Sequence, residues 1–432
     1  MKRTITFSII FILLAVVIVS FLNLKKFPQQ PNIVFVLTDD QGYGDVGFNG
    51  NKLVKTPTLD SLARLGVIID RFYATPNCSS TQAGILSGKY QLQTSLLNNP
   101  TTLPTNNTKE ITLAHILKAN QYTTAYFGKW YNDSPNQNNP SENGFDHFFG
   151  FRGESVTNNF DTSLEYNGVA TKVHGYLTDI ITDSVISFIS RQKEPFITYI
   201  AYNTPHAPYQ LPNSYFNKYK SLMLDDQTAS VYGMCENIDD NIKRIVTQLK
   251  SREIFDRTIF VFMSDNGPDF LRFNGGLKGR KAQVDEGGVR VPFFICYPDG
   301  HLINQRITRG FAAHIDLLPT LLSLSHITID SLPIDGISFS ENMKDSSKHL
   351  PHRVFFTQQL DPVLAKSSGA VRTDTFLLTL TNSDTSLYNL YNDKFQRTNI
   401  KSSYPQLVSQ LMDEYNTWIH KNNASQNIAQ KH

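Results

Sequence analysis

Two short runs of β-branched and aromatic residues stop abruptly at acidic or amide side chains. Asn32–Thr38 (NIVFVLT) runs into Asp39-Asp40, and Thr258–Ser264 (TIFVFMS) runs into Asp265-Asn266. Both alternating faces of each run are largely apolar, which predicts strands covered on both sides, as in a parallel sheet. Runs of similar texture fall at 67–73, 122–127, 195–202 and 291–297. Between them the apolar spacing becomes helical. Pro57 opens a helix in which Leu59, Leu62 and Ala63 share a face, and Gly66 stops it. Residues 176–192 align Ile180, Ile181, Val185 and Ile189, and residues 228–250 align Val231, Ile238, Ile242, Ile245 and Leu249. This alternation predicts an α/β fold, with a large mixed, mostly parallel sheet flanked by helices.

Around residue 330 the texture changes. Residues 371–380 and 386–391 read as short antiparallel strands about Asn382-Ser383-Asp384, and 407–419 as a closing helix. The expected organisation is a main domain over 31–330 and a smaller C-terminal α+β subdomain, with a short antiparallel sheet, over 331–432. At the other end, residues 5–24 are apolar almost throughout and carry no charge. That length approaches the roughly 20 residues that span a bilayer. No A-x-A-like cleavage site follows, which favours an uncleaved signal anchor over a cleaved signal. Lys2 and Arg3 are balanced by Lys25 and Lys26, so flanking charge leaves the orientation open. Residues 1–30 are therefore expected to be a membrane anchor and linker. Both export readings, anchored or secreted, place the rest of the chain outside the cytoplasm.

Composition changes this picture little. The 432 residues carry a formal net charge of +2, with 40% hydrophobic and 18% charged residues, which excludes a nucleic-acid partner drawn by bulk charge. Three cysteines, an odd number, make no disulfide framework.

The chemistry sits at the predicted strand ends. Carboxylates there are costly unless paired or bound. Asp39, Asp40, Asp265 and Asn266 are all oxygen donors, suited to a hard divalent cation such as Ca²⁺, with Mg²⁺ also possible. Each pair alone reads as a cap on the following turn. Two pairs more than two hundred residues apart, both at strand ends, favour the metal. Ligands also bind at the carboxyl ends of strands in open α/β sheets. Lys129 and His206 follow two further predicted strands, although singly they read as a surface lysine and a loop histidine. Cys78 precedes Ser79, Ser80 and Thr81, good helix caps, which places it at a helix N-terminus. Free N–H groups there favour an anion and a nucleophile. Alone, Cys78 reads as a small packing residue.

Together these segments resemble the sulfatase family of the alkaline-phosphatase superfamily. The stretch from Pro31 through Asp39-Asp40-Gln41-Gly42-Tyr43-Gly44-Asp45 is similar to the family's opening strand and metal motif. Thr56 to Ala63 resembles the helix that follows, and Cys78 to Gly88 the signature around its modified cysteine. Gly128-Lys129-Trp130, Pro205-His206-Ala207-Pro208, Ser264-Asp265-Asn266-Gly267 and the segment from Leu277 to Pro292 resemble further motifs. The likeness covers residues 31 to 420. It implies an alkaline-phosphatase-like fold and a sulfuric ester hydrolase acting on a carbohydrate or aryl sulfate. It also implies that Cys78 is oxidised by a formylglycine-generating enzyme to formylglycine, whose hydrate attacks sulfur. Asp39, Asp40, Asp265 and Asn266, with the modified Cys78, would hold Ca²⁺. Lys129, His206 and Lys281 would bind sulfate, the last two also supporting the leaving oxygen, while Glu286 and Arg290 would fix their loop. Substrate choice would lie in loops such as 91–110 and 132–170.

The chain departs from the family pattern at four positions. Where the signature has Pro, Ser and Arg, this chain has Ser80, Thr81 and Gln82. Where a histidine follows Gly-Lys-Trp, this chain has Tyr131. That histidine is the family's base for expelling sulfate, and tyrosine, with an ordinary pKa near 10, is a poor base at neutral pH. Gln82 and Tyr131 therefore leave two alternatives beside a divergent sulfatase. One is a catalytically impaired sulfatase-like binding protein, and the other a phosphoesterase-type hydrolase of the same superfamily.

Overall fold

The computed structural model describes residues 30–94, 96, 110–131, 139–328, 332–345, 348–361, 366–381 and 384–429. The apolar segment 5–24, the expected boundary near residue 330 and parts of both expected specificity loops lie outside these residues. Among the described residues no helix is long and apolar enough to cross a membrane. Pro31–His432 make one compact unit.

In chain order the strands are β1 (Asn32–Thr38), β2 (Val67–Ile69), β3 (Phe72–Tyr73), β4 (Thr123–Trp130), β5 (His147–Arg152), β6 (Ser163–Tyr166), β7 (Val169–Lys172) and β8 (Phe196–Ala201). They continue as β9 (Thr258–Ser264), β10 (Phe293–Cys296), β11 (Gln305–Ile307), β12 (Ala312–Ala313), β13 (Phe355–Asp361), β14 (Lys366–Arg372), β15 (Phe376–Thr381) and β16 (Asp384–Asn389). The helices are α1 (Pro57–Leu65), α2 (Cys78–Ser87), α3 (Leu113–Ala119), α4 (Leu177–Arg191), α5 (Asn213–Lys220), α6 (Asp226–Ser251), α7 (Glu286–Val289), α8 (Leu317–Leu324), α9 (Ser340–Lys344) and α10 (Pro405–Ala429).

The main sheet has the order β11-β2-β10-β9-β1-β8-β4-β5-β6-β7. Its centre, β9-β1-β8-β4-β5, is parallel throughout. The antiparallel pairs β10–β9, β10–β2, β5–β6 and β6–β7 flank that centre, so the sheet is mixed and mostly parallel, as expected. β1 is buried along its whole length because helices cover both faces. Ile33, Phe35 and Leu37 face a core shared with α2, α3 and α8. Val34 and Val36 face a second core closed by α1, α4 and α6. Of the predicted inward residues of α6, Val231 alone leaves this core and packs beside Tyr219 and Tyr232.

Two predicted strands prove to be two each. The run 67–73 breaks after Ile69, because Asp70 pairs with Arg306 at 2.6 Å and Arg71 turns to the carbonyls of Thr373 and Asp374. β3 then pairs with β12 in a separate small sheet. The run 371–380 hides a hairpin turn at 373–375, where the Thr373 hydroxyl accepts the N–H groups of Thr375 and Phe376. The C-terminal sheet is antiparallel, in the order β13-β14-β15-β16, and Leu411, Tyr415 and Trp418 of α10 pack on Val371, Leu378 and Leu387.

Candidate active site

Sheet register assembles the site. β1 and β9 pair without stagger from Asn32 opposite Thr258 to Thr38 opposite Ser264. The next residues of each strand, Asp39-Asp40 and Asp265-Asn266, therefore emerge side by side. β8 and β4 follow β1 in the sheet, bringing His206 and Lys129 to the same edge. Gly128 sets the last turn of β4. Its φ is +102°, and a Cβ there would lie 2.0 Å from the Ala201 carbonyl oxygen.

The distances are those of one connected centre. Lys129 Nζ lies 2.6 Å from Asp39 Oδ2 and 3.7 Å from Cys78 Sγ. Lys281 Nζ lies 2.7 Å from Asp40 Oδ1, and Asn266 Nδ2 donates to the same oxygen at 2.7 Å. The His206 Nδ1–H donates to the Ala207 carbonyl at 2.6 Å, which leaves Nε2 facing Asp40 Oδ2 at 3.8 Å. The Asp40 N–H donates to Asp265 Oδ1 at 3.1 Å. Asp40 itself sits at φ +63°, a left-handed conformation that costs a non-glycine residue roughly 1–2 kcal/mol. Every sequence-predicted metal and catalytic residue is thus brought together.

Cys78 is the first residue of α2, as expected, but the cap is Asn77, whose side chain accepts the Ser79 N–H at 3.0 Å. Thr81 does other work: its hydroxyl donates to the Asp265 carbonyl at 2.7 Å and accepts the Thr75 N–H at 3.0 Å. That ties α2 to the end of β9.

The electrostatics describe a site crowded with negative charge. Burial and the neighbouring Asp39 and Asp40 hold Asp265 well above the usual carboxylate range. Burial and Asp39 also raise Asp40. Burial would raise Asp39 too, but Lys129, His206 and Lys281 outweigh it and hold Asp39 low. Burial pushes the Cys78 thiol up to about 12. Burial would lower Lys129 and Lys281, yet the carboxylates, Asp39 first for Lys129 and Asp40 first for Lys281, overcome it and raise both.

This donor set fits a hard cation. Asp39 Oδ1, Asp265 Oδ2 and Asn266 Oδ1 are buried oxygens with no hydrogen-bond partner among the described residues. Ligand atoms of Asp39, Asp40 and His206, and those of Asp39, Cys78 and Asp265, each lie within 4.8 Å of one another. Oxygens left unpaired in a buried cluster of carboxylates are what a divalent ion would satisfy.

The family model for sulfatases matches residues 31–327, well over half of the chain. The chain belongs to the sulfatase family. Mouse arylsulfatase J is 30% identical over 373 residues, covering 79% of this chain and 60% of its own length. Mouse N-acetylgalactosamine-6-sulfatase is 28% identical over 357 residues, covering 73% of this chain and 66% of its own length. The chain thus spans somewhat under two thirds of these curated relatives. Among solved structures, Ps i-CgsB in complex with k-i-k-neocarrahexaose matches with a TM-score of 0.82 at 27% identity, covering 90% of this chain and 93% of that one.

Two of the four residues that depart from the family pattern, Gln82 and Tyr131, take up other contacts. Gln82 is buried and its Oε1 lies 3.1 Å from the Tyr126 hydroxyl, which also reaches the Lys129 carbonyl at 2.6 Å. Tyr131 stacks on Trp130, its hydroxyl 3.4 Å from the Leu96 carbonyl, and burial raises its pKa further above 10. Its phenol is protonated at neutral pH. Glu286, which sequence reasoning assigned to fixing the loop, accepts from Tyr73 at 3.0 Å and pairs with Arg372 at 3.3 Å and Arg290 at 3.6 Å. Sequence reasoning gave no role to Asp45 or to Arg272, which pair with each other beside the Asp40 carbonyl. Asp45 belongs to the opening motif and so left a signal, whereas Arg272 left none.

Proposed function

We propose that this protein is a sulfuric ester hydrolase acting on a sulfated carbohydrate. The observation that carries this reading is the convergence of Asp39, Asp40, Asp265, Asn266, Cys78, Lys129, His206 and Lys281 on one sheet edge, with three buried oxygens left for a cation. The sugar substrate class draws on relatives such as the N-acetylgalactosamine-6-sulfatase.

Asp39, Asp40, Asp265 and Asn266 would hold Ca²⁺, with Mg²⁺ as the alternative, and the ion would neutralise sulfate oxygens. Cys78, converted to formylglycine by a maturation enzyme, would supply the nucleophilic oxygen through its hydrate. Lys129, within reach of both Asp39 and Cys78, binds a sulfate oxygen and stabilises negative charge beside the nucleophile. Lys281 and His206 stand together at Asp40. There they support the leaving oxygen as charge develops on it, with His206 Nε2 placed to pass a proton. The apolar run at residues 5–24 supports export, so the domain that follows works outside the cytoplasm, either anchored or secreted.

A second reading rests on Tyr131, whose hydroxyl is directed to Leu96 instead of the carboxylates. A site without a base in that position binds a sulfate ester and fails to turn it over. Peptide mass spectrometry at Cys78 on natively expressed protein, with turnover of aryl and carbohydrate sulfates, separates the readings. Formylglycine with sulfate release supports the hydrolase. Unmodified Cys78 without sulfate release overturns it. Tight sulfate-ester binding then indicates the binding protein, and aryl-phosphate turnover indicates a phosphoesterase.

A further inference from the structure

Arg272 lies in the loop after β9, outside the residues so far given a role, and its side chain is buried. Every nitrogen of its fork is engaged. Nε lies 3.0 Å from both carboxylate oxygens of Asp45, Nη1 lies 3.0 Å from Asp269 Oδ1, and Nη2 donates to Asp45 Oδ2 at 2.7 Å. Nη2 also donates to the backbone carbonyl of Asp40 at 2.9 Å. Asp45 is fully buried and accepts the Gly42 N–H at 2.7 Å. The Arg272–Asp45 pair therefore joins the segment after β1 to the segment after β9, the two segments that carry the four oxygen donors.

The bond to the Asp40 carbonyl matters most. Asp40 holds a left-handed backbone that its side chain alone does not require. Its N–H is held by Asp265 and its carbonyl by Arg272, so both peptide groups flanking this residue are pinned. A planar guanidinium spreads five N–H donors over a rigid fork and so holds Asp45, Asp269 and the Asp40 carbonyl together, whereas a lysine ammonium on its shorter stem gathers three donors at one point and cannot span all three. Building on the metal reading above, we infer that Arg272, with Asp45, is a positioning residue that holds Asp40 in its left-handed conformation and so shapes the cation site. Through Asp40 it also sets Lys281 and His206.

Calorimetric Ca²⁺ titration of the full chain tests this, with melting temperature measured in chelator alongside. Arg272→Lys keeps a positive charge opposite Asp45 and loses the bridge to Asp40. It is expected to weaken Ca²⁺ binding on the order of 10–100-fold, the range seen when partners behind metal ligands are removed. Its melting temperature in chelator stays near that of the wild type. Asp45→Asn is expected to weaken binding in the same direction. Arg244→Lys, in an exposed ion pair with Asp183, leaves Ca²⁺ affinity unchanged. Wild-type affinity in Arg272→Lys overturns this inference alone. So does a weakening matched by an equal loss of stability in chelator. A wild-type chain that binds no divalent cation overturns the metal reading and this inference together.

Discussion

At the scale of single residues, the central tension is between Asp39, Asp40 and Asp265. Buried together, they repel one another unless a cation intervenes, and Asp265 suffers most. Asp265→Asn removes one carboxylate and relieves that repulsion. We expect Ca²⁺ affinity, read by calorimetry, to fall by more than the roughly 10–100-fold cost of losing an outer partner. The melting temperature in chelator should hold or rise, because a neutral amide replaces a group whose ionisation burial opposes. Tyr131 gives a second test. Among the described residues its hydroxyl makes one long hydrogen bond, and it is protonated at neutral pH, so Tyr131→Phe should leave turnover and its pH profile unchanged while costing about 1 kcal/mol of stability at most. A large loss of turnover would mean that the phenol acts in the reaction. The acidic pairs, Cys78, Lys129 and His206 were all legible in the sequence because each follows a recognisable strand or opens a helix. Arg272 was not, because a lone arginine in a loop carries no periodicity and its partners are distant in the chain.

At the scale of elements, strand ends do the positioning. The unstaggered pairing of β1 with β9 sets the two acidic pairs side by side, and Gly128 lets β4 end against β8. Gly128→Ala would force a Cβ against the Ala201 carbonyl in a backbone conformation that L-residues avoid. It should lower stability by at least 2 kcal/mol in denaturant titrations, a loss typical of strained backbone sites, and abolish activity by displacing Lys129. Asn77→Ala should cost about 1 kcal/mol, the usual value of a helix cap. Central strands were legible because they are apolar on both faces. The breaks at Asp70-Arg71 and at 373–375 were not, since they depend on partners supplied by Arg306 and by the Thr373 side chain itself.

At the scale of the whole molecule, the C-terminal sheet is fastened to α7, to the loop before it and to β3. Arg372 of β14 is completely buried and reaches Glu286 and the Val284 carbonyl, while its guanidinium lies 4.9 Å over the Tyr73 ring. Arg372→Met leaves Glu286 buried with one cation fewer. Breaking such a pair costs about 3–5 kcal/mol, so the variant should unfold at clearly lower denaturant. The segment from Lys281 to Glu286 joins this junction to the candidate site, with Lys281 paired to Asp40 at one end and Glu286 to Arg372 at the other. The most direct test is sulfate release from carbohydrate and aryl sulfates by the full chain, before chelation, after it, and after Ca²⁺ is returned. The account predicts release that is lost on chelation, restored by Ca²⁺ and absent in Asp265→Asn. Sulfate release indifferent to chelation, or no release under any of these conditions, would contradict it.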